Sequence, residues 1–400
     1  MIDAFICDAI RTPIGRFGGG LSGIRTDDLA ALPISALLAR APSLDPGAIE
    51  EIFYGCANQA GEDNRNVARM AALLAGLPVS VAGCTINRLC ASGADAVGTA
   101  ARAVMTGQIA IAIAGGVESM SRAPYVMGKS DKPFSRDMRI EDTVVGWRLI
   151  NPTMQKLHGT ASMPETGENV ASRYDVSRDD QDAFACRSQQ RAEAARASGY
   201  FAEEIVPVTL TGKTRDVVFG VDEHPRADTT EETLAKLKPI VRAGGTVTAG
   251  NASGVNDGAA AMFIASEAAA LRHGLTPRAR VLGMATAGVI PDVMGIGPVP
   301  ASQKLMAQLG FSIDDFDLIE INEAFASQVI ASARTLGIDP AVERLNPYGG
   351  AIALGHPLGA SGARLVMTAV HGLERRGGKR ALVTMCIGVG QGLALAVEKI

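Results

Sequence analysis

Four short motifs hold residue types that could do chemistry. In "NRLCASGA" (87–94), Cys90 stands between an extended run at 81–86 and a run of small helix formers, so it lies at a helix N-terminus. Free N–H groups and the helix dipole there favour a thiolate and lower the thiol pKa, which makes a nucleophile. An inert packed thiol is the other reading open to any lone cysteine. In "YGGAIALGHPLGASGA" (348–363), His356 sits in a glycine-rich turn ahead of a second small-residue helix. Such backbone admits a ligand closely and turns N–H groups toward it; a loop histidine satisfied by carbonyls is the alternative. The other four histidines, His158, His224, His273 and His371, lie in polar or helix-end contexts that solvent or capping explains. In "TMCIGVGQG" (384–392), Cys386 ends a buried strand, at the edge where α/β sheets place ligands, or is incidental to a hairpin turn. Gly388, two residues on, offers an unhindered N–H to a developing oxyanion. In "LIEINEAFA" (318–326), Asn322 ends a strand and Glu323 begins a helix, so Asn322 is either an N-cap or an amide that holds a water or substrate oxygen.

A nucleophilic cysteine, a histidine in a glycine-rich turn and a second cysteine, all at element ends, describe an acyl-transfer site. One cysteine and one histidine would also suit hydrolysis or a condensing synthase. The second cysteine separates these readings.

The elements that must position these residues alternate as strand and helix, the pattern of a layered α/β fold. "QIAIAIAGG" (108–116) and "KRALVTMC" (379–386) read as buried central strands. The helix at 91–105 is small or apolar on nearly every face, with Asp95 and Arg102 as exceptions and Gly107 to end it, so it belongs between two sheets. "CASGA" (90–94) recurs as "GASGA" (359–363), each opening a small-residue helix followed by an apolar strand, which indicates duplication of one α/β unit. Between the copies, 121–245 contains the only tryptophan, Trp147, many alternating charges and no long apolar strand. It reads as an inserted helical and loop region, in which the polar helix at 179–198 is expected at the surface or a partner contact.

Bulk properties narrow the class. Among 400 residues, 47% are hydrophobic and 20% charged, as in a soluble globular protein, and 38 basic against 42 acidic residues leave no dense basic run for nucleic acid. "MIDAFICDAIRTP" lacks the basic start and long apolar region of a signal peptide, and "VEKI" is no peroxisomal address. No apolar segment approaches the roughly 18 residues a bilayer requires, so cytoplasm is expected. Six scattered cysteines without a C-x-x-C pair argue against a metal knuckle or a thioredoxin-like site and for free thiols. No G-x-G-x-x-G follows a first strand, which disfavours a Rossmann dehydrogenase.

Together with "RTPIGRFGGGL" (11–21), "GGVESMSRAP" (115–124) and "TVTAGNASGVNDGAAA" (246–261), these motifs resemble the thiolase family, in its order and nearly end to end. The resemblance implies an α/β fold of five layers, α/β/α/β/α, built from two similar βαβαβαββ halves. The first half would span 1–120 and be completed by about 246–270, a loop domain at 121–245 would cover coenzyme A, and the second half would span 271–400. It implies reversible thiolysis of a 3-oxoacyl-CoA to acetyl-CoA and a shortened acyl-CoA through an acyl group on Cys90. Cys386 would protonate the departing acetyl-CoA carbanion and then deprotonate incoming coenzyme A. His356 would activate Cys90 and, with a water on Asn322, stabilise the enolate, while the N–H groups of Cys90 and Gly388 would form a second oxyanion hole. Ser253 would lie near the pantetheine arm, and Arg226 and Thr233 near the adenine and phosphate end. Coenzyme A would be a co-substrate with no tightly bound cofactor, and the assembly a homotetramer, a dimer of dimers. The chemistry is coherent without the name: breaking a carbon–carbon bond needs an electron sink, which a held thioester supplies, and an acid of suitable pKa, which a perturbed thiol supplies.

For the acyl chain, acetoacetyl-specialised members carry His-Met where this chain has Ser162 and Met163, which speaks against that substrate. "GWRLINPTMQKLHGTASMPET" (146–166) is instead similar to bacterial 3-oxoadipyl-CoA thiolases of aromatic-compound catabolism. A dicarboxylic chain needs a cation at its far end, with Arg136, Arg139 and Arg148 as candidates. A broad-range 3-ketoacyl-CoA thiolase of β-oxidation is the alternative within the family, and a catalytically silent acyl-CoA-binding scaffold the alternative outside enzymes.

Overall fold

In the computed structural model, which describes residues 2–212 and 215–400, the chain passes twice through one order of elements. The first passage is β1 (Ala4–Arg11), the two-residue β2 (Gly15–Arg16), α1 (Thr26–Arg40), β3 (Glu51–Gly55), α2 (Val67–Leu74), β4 (Ala82–Ile86), α3 (Ser92–Met105) and β5 (Ile111–Ser119). An insert follows: β6 (Tyr125–Met127), β7 (Ile140–Asp142), α4 (Pro152–His158), α5 (Met163–Arg173), α6 (Arg178–Ala197), β8 (Val208–Leu210), β9 (Val217–Phe219) and α7 (Glu231–Ala235). Then β10 (Asn256–Ser266) and α8 (Glu267–His273) complete the first passage. The second is β11 (Ala279–Gly288), α9 (Pro298–Leu309), β12 (Leu318–Ile321), α10 (Ala326–Thr335), α11 (Ala351–Leu354), α12 (Leu358–Arg376), β13 (Arg380–Ile387) and β14 (Gln391–Lys399).

The two passages pair their strands alike. β3 is parallel to β4 and β5, and β10 runs antiparallel between β5 and β1. In the second passage β12 is parallel to β13, and β14 runs antiparallel between β13 and β11. A single parallel bridge from Ile319 to Leu345 stands where the second passage would have its counterpart of β4. The halves join through β1 and β11, at Phe5 opposite Arg280 and Ile6 opposite Ala279. The repeat read from "CASGA" and "GASGA" is thus a duplication of the whole unit.

Three apolar cores separate five layers. One lies around α3 and α12 between the two halves, one between the first half and α1 and α2, and one between the second half and α9 and α10. β5 and β10 are buried along their whole length, which is why they read as unbroken apolar runs. The middle layer requires small residues. A Cβ on Gly93 would lie 2.6 Å from the Gly359 carbonyl oxygen, and one on Gly362 would run into the Ala94 backbone.

The insert forms two small hairpins outside the main sheet, β6–β7 and β8–β9, with helices between. Here α6 departs from expectation. Although polar, it buries one face, nine of its 20 residues, because polar side chains on that face answer buried partners elsewhere. Asp182 accepts from the Asn251 amide at 2.9 Å, Ser188 donates to Glu323 at 2.6 Å, and Gln189 donates to the Ile352 carbonyl at 3.3 Å. Among the described residues no helix is long and apolar enough to cross a membrane.

Replacing a helical glycine by alanine ordinarily gains up to about 1 kcal/mol. Gly362→Ala is expected to lose about 1–3 kcal/mol instead, from overpacking against Ala94, read as a lower urea midpoint at unchanged slope.

Candidate active site

Cys90 stands in a tight single turn, Leu89–Ala91, between β4 and α3. Leu89 takes a left-handed φ of 46°, a strained state for a branched apolar residue that the surroundings must hold. They do so through three hydrogen bonds. The Leu89 N–H donates to Asn87 Oδ1 at 2.9 Å, Ser92 Oγ donates to the Leu89 carbonyl at 2.6 Å, and the Arg88 N–H donates to Ser92 Oγ at 2.9 Å. The turn opens Cys90 onto a cleft of about 320 Å³ whose lining includes Leu89, Glu118, Trp147, Arg148, Met163 and Gly388.

The electrostatics of this thiol reverse one expectation. Burial pushes Cys90 up to about 11, although the N–H groups of Gly388 and of Cys90 itself oppose the shift. Desolvation of the charged form outweighs the helix start. Cys90 therefore rests as a thiol and needs a base.

His356 lies just before α12, after Gly355, whose φ of 102° lets the chain turn back over Asn256. The His356 N–H donates to Asn256 Oδ1 at 2.9 Å, and the Asn256 amide donates to the Gly15 carbonyl at 3.0 Å. His356 Nδ1 is 2.7 Å from Ser361 Oγ, which in turn donates to the Pro357 carbonyl at 2.9 Å. With its one proton so used, Ser361 accepts from His356, which assigns the hydrogen to Nδ1 and makes Nε2 the acceptor. Nε2 faces the Asn322 amide nitrogen at 3.3 Å. Burial, with the Arg364 charge in second place, drives the imidazole down to about 3, so it rests neutral.

Asn322 follows β12 but does not cap a helix, and Glu323 does not begin one: α10 starts at Ala326 with Phe325 at its N-cap position. The intervening residues pair with another segment instead. Ala252 bridges Phe325, the Ser253 N–H donates to the Ala324 carbonyl at 2.9 Å, and the Ala326 N–H donates to the Asn251 carbonyl at 2.9 Å. Glu323 turns inward to Ser188, to the Asn346 amide at 2.8 Å and to the Ile352 N–H at 3.1 Å. Asn322 Oδ1 is buried with no partner among the described residues.

Cys386 is the penultimate residue of β13, opposite Gly392, and packs with Ala252, Ala324 and Phe325. Burial, and then the neighbouring Cys90, raise its thiol pKa far above the ordinary value. Cys90 thus adjoins Cys386 and the Gly388 N–H, and Asn322, whose N–H donates to the Thr384 carbonyl at 3.0 Å, pairs with His356. No hydrogen bond joins Cys90 to His356 among the described residues.

The remaining site candidates lie apart. Arg226 and Thr233 line a second cleft of about 280 Å³ with Gln189, His224 and Asp228. Thr233 is engaged in the start of α7, where it and Thr230 accept each other's backbone N–H. Ser253 lines neither cleft and precedes Gly254, where a Cβ would strike the His224 ring. Arg136 and Arg139 are exposed and line neither, whereas Arg148 lines the Cys90 cleft.

Sequence reasoning missed Asn256, Ser361 and Glu118. Glu118 accepts backbone N–H groups from Ala57 at 2.9 Å, Asn58 at 3.0 Å and Gly359 at 2.8 Å, and burial pushes it up to about 7. An acid inside the apolar run of β5 was the available signal. Two histidines also need a different explanation from solvent or capping. His371 is buried with Nδ1 3.6 Å from Glu204, and His224, driven down to about 4 by burial and then by Arg226 and Arg16, faces the second cleft.

On unfolding, His356 returns from about 3 to its ordinary 6.5, so the unfolded chain holds more protons between those values and stability falls as pH drops through that window. His356→Gln is expected to flatten the slope of unfolding free energy at pH 4–6 by up to one proton, about 1.4 kcal/mol per pH unit. Urea titrations at several pH values check it.

Comparison with known proteins agrees with this layout. The "Thiolase, N-terminal domain" model matches residues 4–268 and the "Thiolase, C-terminal domain" model residues 275–399. The Beta-ketoadipyl-CoA thiolase of Pseudomonas aeruginosa is 65% identical over 398 residues, covering 100% of this chain and 99% of the relative. The 3-oxoadipyl-CoA/3-oxo-5,6-dehydrosuberyl-CoA thiolase of Escherichia coli K12 is 60% identical, with 100% of each covered. Among solved structures, the Bacillus anthracis acetyl-CoA acetyltransferase superposes with a TM-score of 0.93 at 41% identity, over 100% of this chain and 99% of that one. Matched in both halves and alike in fold, the chain belongs to the thiolase family.

Proposed function

We propose that this thiolase cleaves 3-oxoadipyl-CoA reversibly, with coenzyme A, to succinyl-CoA and acetyl-CoA through an acyl group on Cys90. The observation that carries the reading is a cysteine that opens onto a cleft beside a second, buried thiol, in a chain 60–65% identical to relatives named for that substrate.

The proton inventory supports the order of steps. Cys90 gives its proton to Nε2 of His356 and attacks C3 of the substrate. The C2–C3 bond breaks and its electrons pass into the thioester carbonyl. The enolate oxygen is held by protonated His356 and by a water on Asn322, whose unpartnered Oδ1 suits that task. Cys386, which burial keeps protonated, gives its proton to C2 and releases acetyl-CoA. The Cys386 thiolate then takes the proton of incoming coenzyme A, whose sulfur attacks the succinyl-Cys90 carbonyl. The N–H groups of Cys90 and Gly388 receive that oxyanion, and Cys90 leaves and recovers its proton from His356.

Coenzyme A is the co-substrate in this reading, and no tightly bound cofactor enters it. Arg226, at the mouth of the second cleft, suits an anionic phosphate, and Ser253 lies on the loop paired with the Asn322 segment. Thr233, whose hydroxyl serves the α7 cap, supports that end of the cleft. A homotetramer in the cytoplasm completes the proposal. β4 is an edge strand with Ala82 and Cys84 exposed near exposed Leu73, Leu74 and Val79, and the β6–β7 hairpin presents Tyr125, Met127 and Ile140. Two separate apolar surfaces are what a dimer of dimers needs.

With acetyl-CoA, intact mass spectrometry should show an adduct that Cys90→Ser lacks; no adduct would leave only a silent acyl-CoA-binding scaffold. Cys386→Ala is expected to keep that adduct while thiolysis falls about 10²–10⁴-fold. In a panel of 3-oxoadipyl-CoA, acetoacetyl-CoA and a long-chain 3-ketoacyl-CoA, the first is expected to have the highest kcat/KM. Equal rates across the panel would favour a broad-range enzyme.

A further inference from the structure

Among the residues lining the Cys90 cleft, Arg148 is the one cation, and the rest of the wall is largely apolar, with Leu89, Val144, Trp147 and Met163 among its members. Its guanidinium has no ion pair or hydrogen bond among the described residues. The one other ionisable group of the lining besides Cys90, Glu118, is committed to three backbone N–H groups and does not neutralise it. The segment leading into Arg148 is tied down. Thr143 Oγ1 donates to the Pro124 carbonyl at 2.6 Å and accepts from the Asn58 amide at 2.9 Å, and the Trp147 indole N–H donates to the Ala161 carbonyl at 3.2 Å. An unpaired, half-buried guanidinium in a largely apolar cleft suits a planar anion that it can hold with two parallel hydrogen bonds.

We infer that Arg148 is the specificity-determining residue of this site, binding the distal carboxylate of a dicarboxylic 3-oxoacyl chain. The inference rests on the substrate reading above and deepens it. From the attacked C3 of a six-carbon 3-oxo diacid, three carbon–carbon bonds lead to the far carboxyl carbon, an extended reach of roughly 4 Å. That length fits within the cleft of about 320 Å³ that Cys90 and Arg148 both line. A cation left unpaired by a neutral chain favours the diacid twice, by attraction to the carboxylate and by remaining unsatisfied with the analogue.

The test compares kcat/KM for 3-oxoadipyl-CoA and for 3-oxohexanoyl-CoA, which has a methyl group in place of the carboxylate, in the wild type, Arg148→Ala and Arg148→Lys. The wild type should favour the diacid by about 100-fold. Arg148→Ala should bring the ratio near one by losing the diacid alone, and Arg148→Lys should restore part of it. Cys90 acetylation by acetyl-CoA, unchanged in both variants, shows that the site is still folded. A wild type without preference for the diacid would overturn the substrate reading itself. A wild-type preference that survives in Arg148→Ala would overturn the assignment of Arg148 and leave that reading standing. An equal loss on both substrates would overturn it too, and would place Arg148 on the coenzyme A portion.

Discussion

Between the two halves of the sheet, α3 and α12 approach until backbone meets backbone: Gly93 faces the Gly359 carbonyl and Gly362 faces Ala94. Everything at the site depends on that approach. Each helix begins where a chemically active residue sits, Cys90 at the start of α3 and His356 just before α12. Only residues without bulk let the two helix starts approach this closely, so the small-residue stripes are a packing requirement that also sets where Cys90 and His356 stand.

The same close packing sets the chemistry. Excluding water raises both thiols and lowers the imidazole, and this desolvation is stronger than the pull of a helix N-terminus on Cys90. A site of three neutral groups is poised to hand protons along rather than to rest as a thiolate. In the proposed reaction charge appears only when substrate brings a carbonyl to receive it. The strained Leu89 turn and the Ser361 bond to His356 hold the geometry that such transfers need.

Polar groups inside the molecule bind its parts together. Glu118 joins the start of α12 to the loop after β3, Asn256 joins the His356 turn to the loop at Gly15, and Glu323 joins the Asn322 segment to α6 of the insert. Each of these three acceptors is satisfied by backbone or side-chain donors from distant parts of the chain. That explains how polar α6 can still bury one face.

Much was legible in the residues themselves. Period and composition disclosed the buried strands β5 and β13, the interior helix α3, the duplication and the insert, because these depend on local pattern and on burial of apolar runs. The four motif residues Cys90, His356, Cys386 and Asn322 were legible because their types are reactive and stand at element ends. What the sequence could not determine was the balance between competing long-range effects. Helix dipole against desolvation at Cys90, cap against pairing with a remote segment at Asn322, solvent against buried partners for α6, and which of Arg136, Arg139 and Arg148 lines the Cys90 cleft were decided by tertiary structure, since each turns on how remote segments meet.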